Sequence, residues 1–131
     1  MKTRSFVSFL LTMLLACASS SPVASQPSTV PGVPKISNLE IPTTIKASEA
    51  FPVSFDYEDE DADITTVIVT FDWGQGQETH KFPATRIKGK SGRSDGQLRT
   101  GPRTGPIKIH IYVEDAKGNK SNTLTKETQR I

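Results

Sequence analysis

Asp59, Asp61 and Asp63 occupy every second position of the acidic run Asp56-Tyr57-Glu58-Asp59-Glu60-Asp61-Ala62-Asp63. Carboxylates clustered in one loop are the hard oxygen donors that a calcium ion takes. The spacing matches the opening of an EF-hand loop, but the rest of that motif is missing. Ile64 stands at its sixth position, where a sharp turn needs glycine, and Thr70 at its twelfth, where a bidentate glutamate closes the site. The three aspartates are therefore the candidate ligands of a looser calcium site, of the kind extracellular modules use at about 10⁻⁴ to 10⁻³ M. The plainer reading is a solvated acidic loop. No other cofactor is expected.

A second set of residues carries the opposite charge. From Pro83 to Lys108, seven basic residues face the single acid Asp95, a local balance of +6, whereas Glu40 to Asp63 sets eight acids against Lys46, a local balance of −7. Arg86, Lys88, Lys90, Arg93, Arg99 and Arg103 are candidates for contact with an anionic polysaccharide or another acidic surface. The competing reading is that these charges keep edge strands and a long loop soluble. Nucleic acid is not an expected partner, because no aromatic residue interleaves the basic stretch. Catalysis has little to draw on. His80 and His110, the two histidines, fall at outward positions of alternating segments, and G-x-S-x-G, H-E-x-x-H and Gly-rich phosphate-loop motifs are all absent. Trp73, beside a Gly-rich turn, reads either as a core tryptophan or as a ring for stacking on sugar.

These side chains must be positioned by strands. Phe51, Val53, Phe55 and Tyr57 alternate with polar residues or proline, Val67, Val69, Phe71 and Trp73 alternate with Ile68, Thr70 and Asp72, and Ile107, Ile109, Ile111 and Val113 do the same later. Period two with a one-sided apolar face marks half-buried antiparallel strands. Shorter candidates run over residues 36–41, 43–47, 78–82, 96–100 and 122–126. Gly-rich residues 73–77 and the segment Ala116-Lys117-Gly118-Asn119 read as turns, the latter as a hairpin with Gly or Asn at positive φ. Seven or eight short strands in residues 35–131 predict an all-β fold: a single antiparallel β-sandwich of about seven strands, of the immunoglobulin type.

The chain has 131 residues and a formal net charge of +2, a length that suits one domain. Its one cysteine, Cys17, leaves no partner for an internal disulfide. Residues 1–16 read as a signal peptide: Lys2 and Arg4, the apolar run Phe6 to Ala16, then small residues. That run is too short to span a bilayer, which needs roughly 20 residues. Residues 17–34 carry four Pro and five Ser after the cysteine and no charge, a composition that cannot bury enough surface to fold and reads as a tether. Removing Lys2 and Arg4 makes the remaining chain formally neutral.

Leu14-Leu15-Ala16-Cys17 resembles a bacterial lipobox. The resemblance implies that Cys17 is acylated and becomes the mature N-terminus, held in a membrane by several acyl chains; with Ala18 next, it implies the outer membrane of a diderm bacterium. Ala16 and Ala18 also form an A-x-A site, whose use would discard Cys17 and release a secreted or periplasmic module. The domain has a resemblance of its own. Val113-Glu114-Asp115-Ala116-Lys117-Gly118-Asn119-Lys120-Ser121-Asn122 is similar to the ending of bacterial immunoglobulin-like and polycystic-kidney-disease-type repeats, and Phe55 to Ile64 to their acidic strand junction D-x-D-G-D-I, with Ala62 in place of the glycine. The resemblance implies a non-enzymatic binding or structural module of the cell envelope, anchored to the membrane and contacting an envelope protein or anionic polysaccharide. The alternative from another class is a small envelope hydrolase or enzyme inhibitor, and the oligomeric state is left open.

Overall fold

The computed structural model of the chain describes residues 32–131. The signal segment, Cys17 and the tether as far as residue 31 lie outside the described residues. Eight strands follow in order: β1 (Lys35–Glu40), β2 (Thr44–Ile45), β3 (Ala50–Glu58), β4 (Ile64–Asp72), β5 (Gln77–Pro83), β6 (Ser91–Arg99), β7 (Gly105–Asp115) and β8 (Leu124–Arg130). They make a three-stranded sheet, β1-β3-β6, and a five-stranded sheet, β2-β8-β7-β4-β5. The domain is thus an immunoglobulin-like β-sandwich. Its pairing is antiparallel except at one place, where β2 runs parallel to β8 through Thr44–Gln129 and Ile45–Arg130. The chain reaches that position by leaving the first sheet after Glu40: the ladder slips between Ser37 and Glu40, and Pro42, which has no N–H to donate, separates the two strands.

Alternation decides which side chains meet. On β7, Ile107, Ile109, Ile111 and Val113 are at most 1% exposed. They join Val69 and Phe71 of β4 and Phe51, Phe55 and Tyr57 of β3 in one core. On the outer face of the same strands Thr70 pairs with His110 and Asp72 with Lys108, while Ile68 pairs with Tyr112. The turns follow their residues as well. Gly74, at φ 87°, carries the chain from β4 to β5, with its N–H bonded to Asp72 Oδ1 at 2.9 Å, and Gly118, at φ 85°, does so between β7 and β8.

β6 extends the expectation. Its sequence, Ser-Gly-Arg-Ser-Asp-Gly-Gln-Leu-Arg, contains one bulky apolar residue, so alternation suggested a strand only near its end. The ladder supplies what the pattern lacks, because β3 pairs with β6 residue for residue from Ala50–Arg99 to Glu58–Ser91.

The β5–β6 loop is fastened to this ladder by Tyr57, whose hydroxyl donates to the Lys88 carbonyl at 2.7 Å and accepts from the Lys88 N–H at 3.1 Å. Gly92 makes the space, since a Cβ there would lie 2.7 Å from the tyrosine oxygen. Gly92→Ala and Tyr57→Phe should each destabilise the fold by about 1–3 kcal/mol in urea denaturation, and the double variant should cost little more than either alone. Fully additive losses would show that the glycine serves something other than this hydroxyl.

Candidate functional site

Two turns meet at the end of the sandwich where the chain enters it. Asp59 follows β3, and its carboxylate accepts the N–H of Asp63 at 2.9 Å and of Asp61 at 3.4 Å, folding the acidic turn back on itself. Asp115 closes β7 in the same way: Oδ1 accepts the N–H groups of Lys117 and Asn119 at 2.9 and 2.8 Å, and Oδ2 accepts Asn119 Nδ2 at 3.0 Å. The turns are joined by the Ala116 N–H donating to the Asp63 carbonyl at 2.9 Å. Asp59 and Asp115 are buried, 2% and 3% exposed.

Asp63 lies between them. Its Oδ1 is fully buried and has no hydrogen-bond partner, and one ligating oxygen from each of Asp59, Asp63 and Asp115 lies within 4.8 Å of the other two. Desolvation pushes the Asp63 carboxyl above its ordinary range, and the hydrogen bond with Asp59 and the charges of Asp59, Asp115 and Asp61 push the same way. Burial also pushes Asp115 upward, but the bonds from Asn119 and Lys117 outweigh it and hold that carboxyl below its usual value. Three hard oxygen donors without His or Cys suit an oxygen-seeking cation such as calcium rather than zinc. The acidic cluster therefore offers a metal ion three oxygen ligands.

Of the aspartates predicted from spacing, Asp59 and Asp63 come together. Asp61 points away: it is exposed and 3.5 Å from Lys117 Nζ, and a Cβ on Gly32 would lie 3.0 Å from its Oδ2. Asp115 takes the third place, and spacing could not have found it. It is brought there by the β4–β7 register, which pairs Ile64 with Asp115. Ala62 has φ 53°, a conformation that costs a residue with a side chain about 1–2 kcal/mol.

The basic candidates do not form one patch. Arg93 lies on the three-stranded sheet, paired with Asp56 at 2.7 Å and Glu40 at 2.8 Å; a hydrogen bond from Asn38, then that from Arg93, holds Asp56 below the usual carboxylate range. Arg99 donates to the Ser48 carbonyl at 3.1 Å, and Arg103 stands 5.7 Å over the ring of half-buried Trp73. Arg86, Lys88 and Lys90 remain on the β5–β6 loop, which touches the acidic turn through the Asp59 N–H bonded to the Lys90 carbonyl at 2.7 Å. His110 lies outward as expected, 2.8 Å from Thr125 and 3.8 Å from Asp72. His80 does not. The register pairs it with buried Val69, so it faces inward at an open edge, against Phe71 and Phe82.

No family model and no curated protein sequence matches the chain. Solved structures that are similar to it share its fold. A Niemann-Pick type C2 protein from the Japanese carpenter ant aligns with 79% of this chain and 96% of its own at 12% identity and a TM-score of 0.52. The sporulation control protein Spo0M from Bacillus subtilis aligns with 76% of this chain and 49% of its own at 7% identity and a TM-score of 0.50. A PKD domain of an M14-like peptidase from a Thermoplasmatales archaeon aligns with 76% of this chain and 94% of its own at 19% identity and a TM-score of 0.48.

The raised Asp63 carboxyl sets a pH dependence. A carboxyl whose pKa rises on folding destabilises the native state above its folded value, and the penalty vanishes once the pH is below the ordinary value of 3.8. In EDTA, Asp63→Asn should be more stable than the wild-type protein at pH 7, and the difference should shrink as the pH is lowered toward 4. Chemical denaturation at both pH values measures it. A variant less stable at pH 7, or a pH-independent difference, would show that Asp63 is not held against its charge.

Proposed function

We propose that the protein is a non-enzymatic module of the bacterial cell envelope, anchored through acylated Cys17, displayed on the Ser/Pro tether, and holding calcium between Asp59, Asp63 and Asp115. An immunoglobulin-like sandwich is consistent with a non-enzymatic module. The observation that carries the calcium reading is the buried Asp63 Oδ1, which lacks a partner while facing two buried carboxylates. The site is also placed usefully. Gly32, the first described residue and part of the tether's end, lies against the acidic turn, so a cation there would stiffen the join between tether and domain.

The lipobox-like Leu14-Leu15-Ala16-Cys17 supports anchoring, and the A-x-A pattern of Ala16 and Ala18 supports the competing reading of a released module. Intact mass of the protein made in its own type of cell separates them: acyl mass on a chain beginning at Cys17 supports the anchor, and an unmodified chain beginning at Ser19 overturns it. Calcium is tested independently. With a dissociation constant of about 10⁻⁴ to 10⁻³ M, 10 mM CaCl₂ should stabilise the domain by ~1.4–2.7 kcal/mol and raise Tm by roughly 6–20 °C. Asp63→Asn should abolish that shift. A wild-type melting point indifferent to calcium would refute the cation site and leave the anchor unaffected.

A further inference from the structure

The sandwich is open along one side. β5 and β6 are the edge strands there, joined by residues 84–90 but not hydrogen-bonded to each other. Between them lies a cavity of about 190 Å³ walled by Val53, Phe55, Val67, Val69, Leu98 and Ile111. Its cause is largely one position. β6 turns Ser94, Gly96 and Leu98 toward the core, opposite Phe55, Val53 and Phe51, and a Cβ built on Gly96 would meet nothing within 4 Å. A missing side chain in the inner row leaves the space.

The rim differs in character from the walls. Phe82 faces inward opposite Val67 yet is 39% exposed, one of two large hydrophobic residues left exposed among the described residues. The covering loop supplies Ala84, Thr85, Arg86 and Ile87. Arg86, and Lys88 and Lys90 beyond it, form no ion pair among the described residues, whereas Asp95 is the acid at this rim. An apolar hole beneath a cationic loop complements a molecule with an apolar chain and a negative head. Apolar cavities of about 150 Å³ stay dry and accept benzene, so this volume corresponds by proportion to roughly eight carbons.

We propose that the cavity between β5 and β6 binds the chain of a single-chain anionic amphiphile, a medium-chain fatty carboxylate, with its head at the Arg86 loop. The test uses the full-length, ¹⁵N-labelled protein and linear carboxylates from butanoate to tetradecanoate, each below its micelle concentration. Amide shifts should centre on the cavity-lining residues. Affinity should rise roughly fourfold per methylene, level off near eight carbons, and be weaker for octanol than for octanoate. Gly96→Leu should raise Tm while abolishing octanoate binding. Should Gly96→Leu misfold, Gly96→Ala, which occupies the hole with one methyl, should move the levelling point to a shorter chain. Four results would overturn the proposal: no shifts at the lining residues, affinity that climbs evenly to tetradecanoate as surface adsorption would, octyltrimethylammonium binding as tightly as octanoate, or octanoate binding unchanged in a folded Gly96 variant.

Discussion

Cys17 is the only cysteine, so no internal disulfide ties the sheets, and they are held by the apolar seam that β7 presents to β3. Ile107, Ile109, Ile111 and Val113 are essentially removed from water, and full burial of such side chains contributes about 1.5–3 kcal/mol each. Four of them supply an amount comparable with the whole net stability of a domain, roughly 5–15 kcal/mol. The same strand pairs with β4 in a register that fixes Asp115 opposite Ile64. The acidic end therefore owes its geometry to the seam.

That dependence explains how the domain tolerates unfavourable chemistry at one end. Asp63 has a buried oxygen without a partner, and Ala62 holds a positive φ. Both lie in the turn directly after β3. The backbone N–H groups that Asp59 and Asp115 accept keep the turns folded around the uncompensated carboxylate. Local strain persists only where the surroundings over-determine it, and the paired turns and the seam beneath them do so here. On the open side the departure is the reverse, a place left unfilled because Gly96 has no side chain to offer the core.

Much of this was legible in the residues. The alternation of Phe51 to Tyr57, Val67 to Phe71 and Ile107 to Val113 marks β3, β4 and β7, because each buries one face only. β6 was half hidden, since a strand with inward Ser94 and Gly96 carries almost no hydrophobic period and exists through its ladder to β3. Asp115 was hidden for a related reason: it is 52 residues from Asp63 in the chain, and only strand register makes them neighbours. Proximity in sequence also misled in the other direction. Arg86 to Arg103 look like one basic stretch, but the loop, the ladder and the turn after β6 distribute them, and Arg93 and Arg103 acquire partners of their own. His80 reads as an outward position of an alternating segment, yet it turns inward where β5 borders the gap between sheets.

The β7 seam holds two carboxylate turns in a geometry that the proposed cation would complete. Native-state hydrogen exchange in EDTA and in millimolar calcium tests this most directly. The amides of Ile109 and Ile111 should be among the slowest in the protein in both conditions, and calcium should add protection in the turns, at the amides of Asp63, Lys117 and Asn119. Exchange in β7 no slower than in β1 and β8, or turn amides indifferent to calcium, would contradict it.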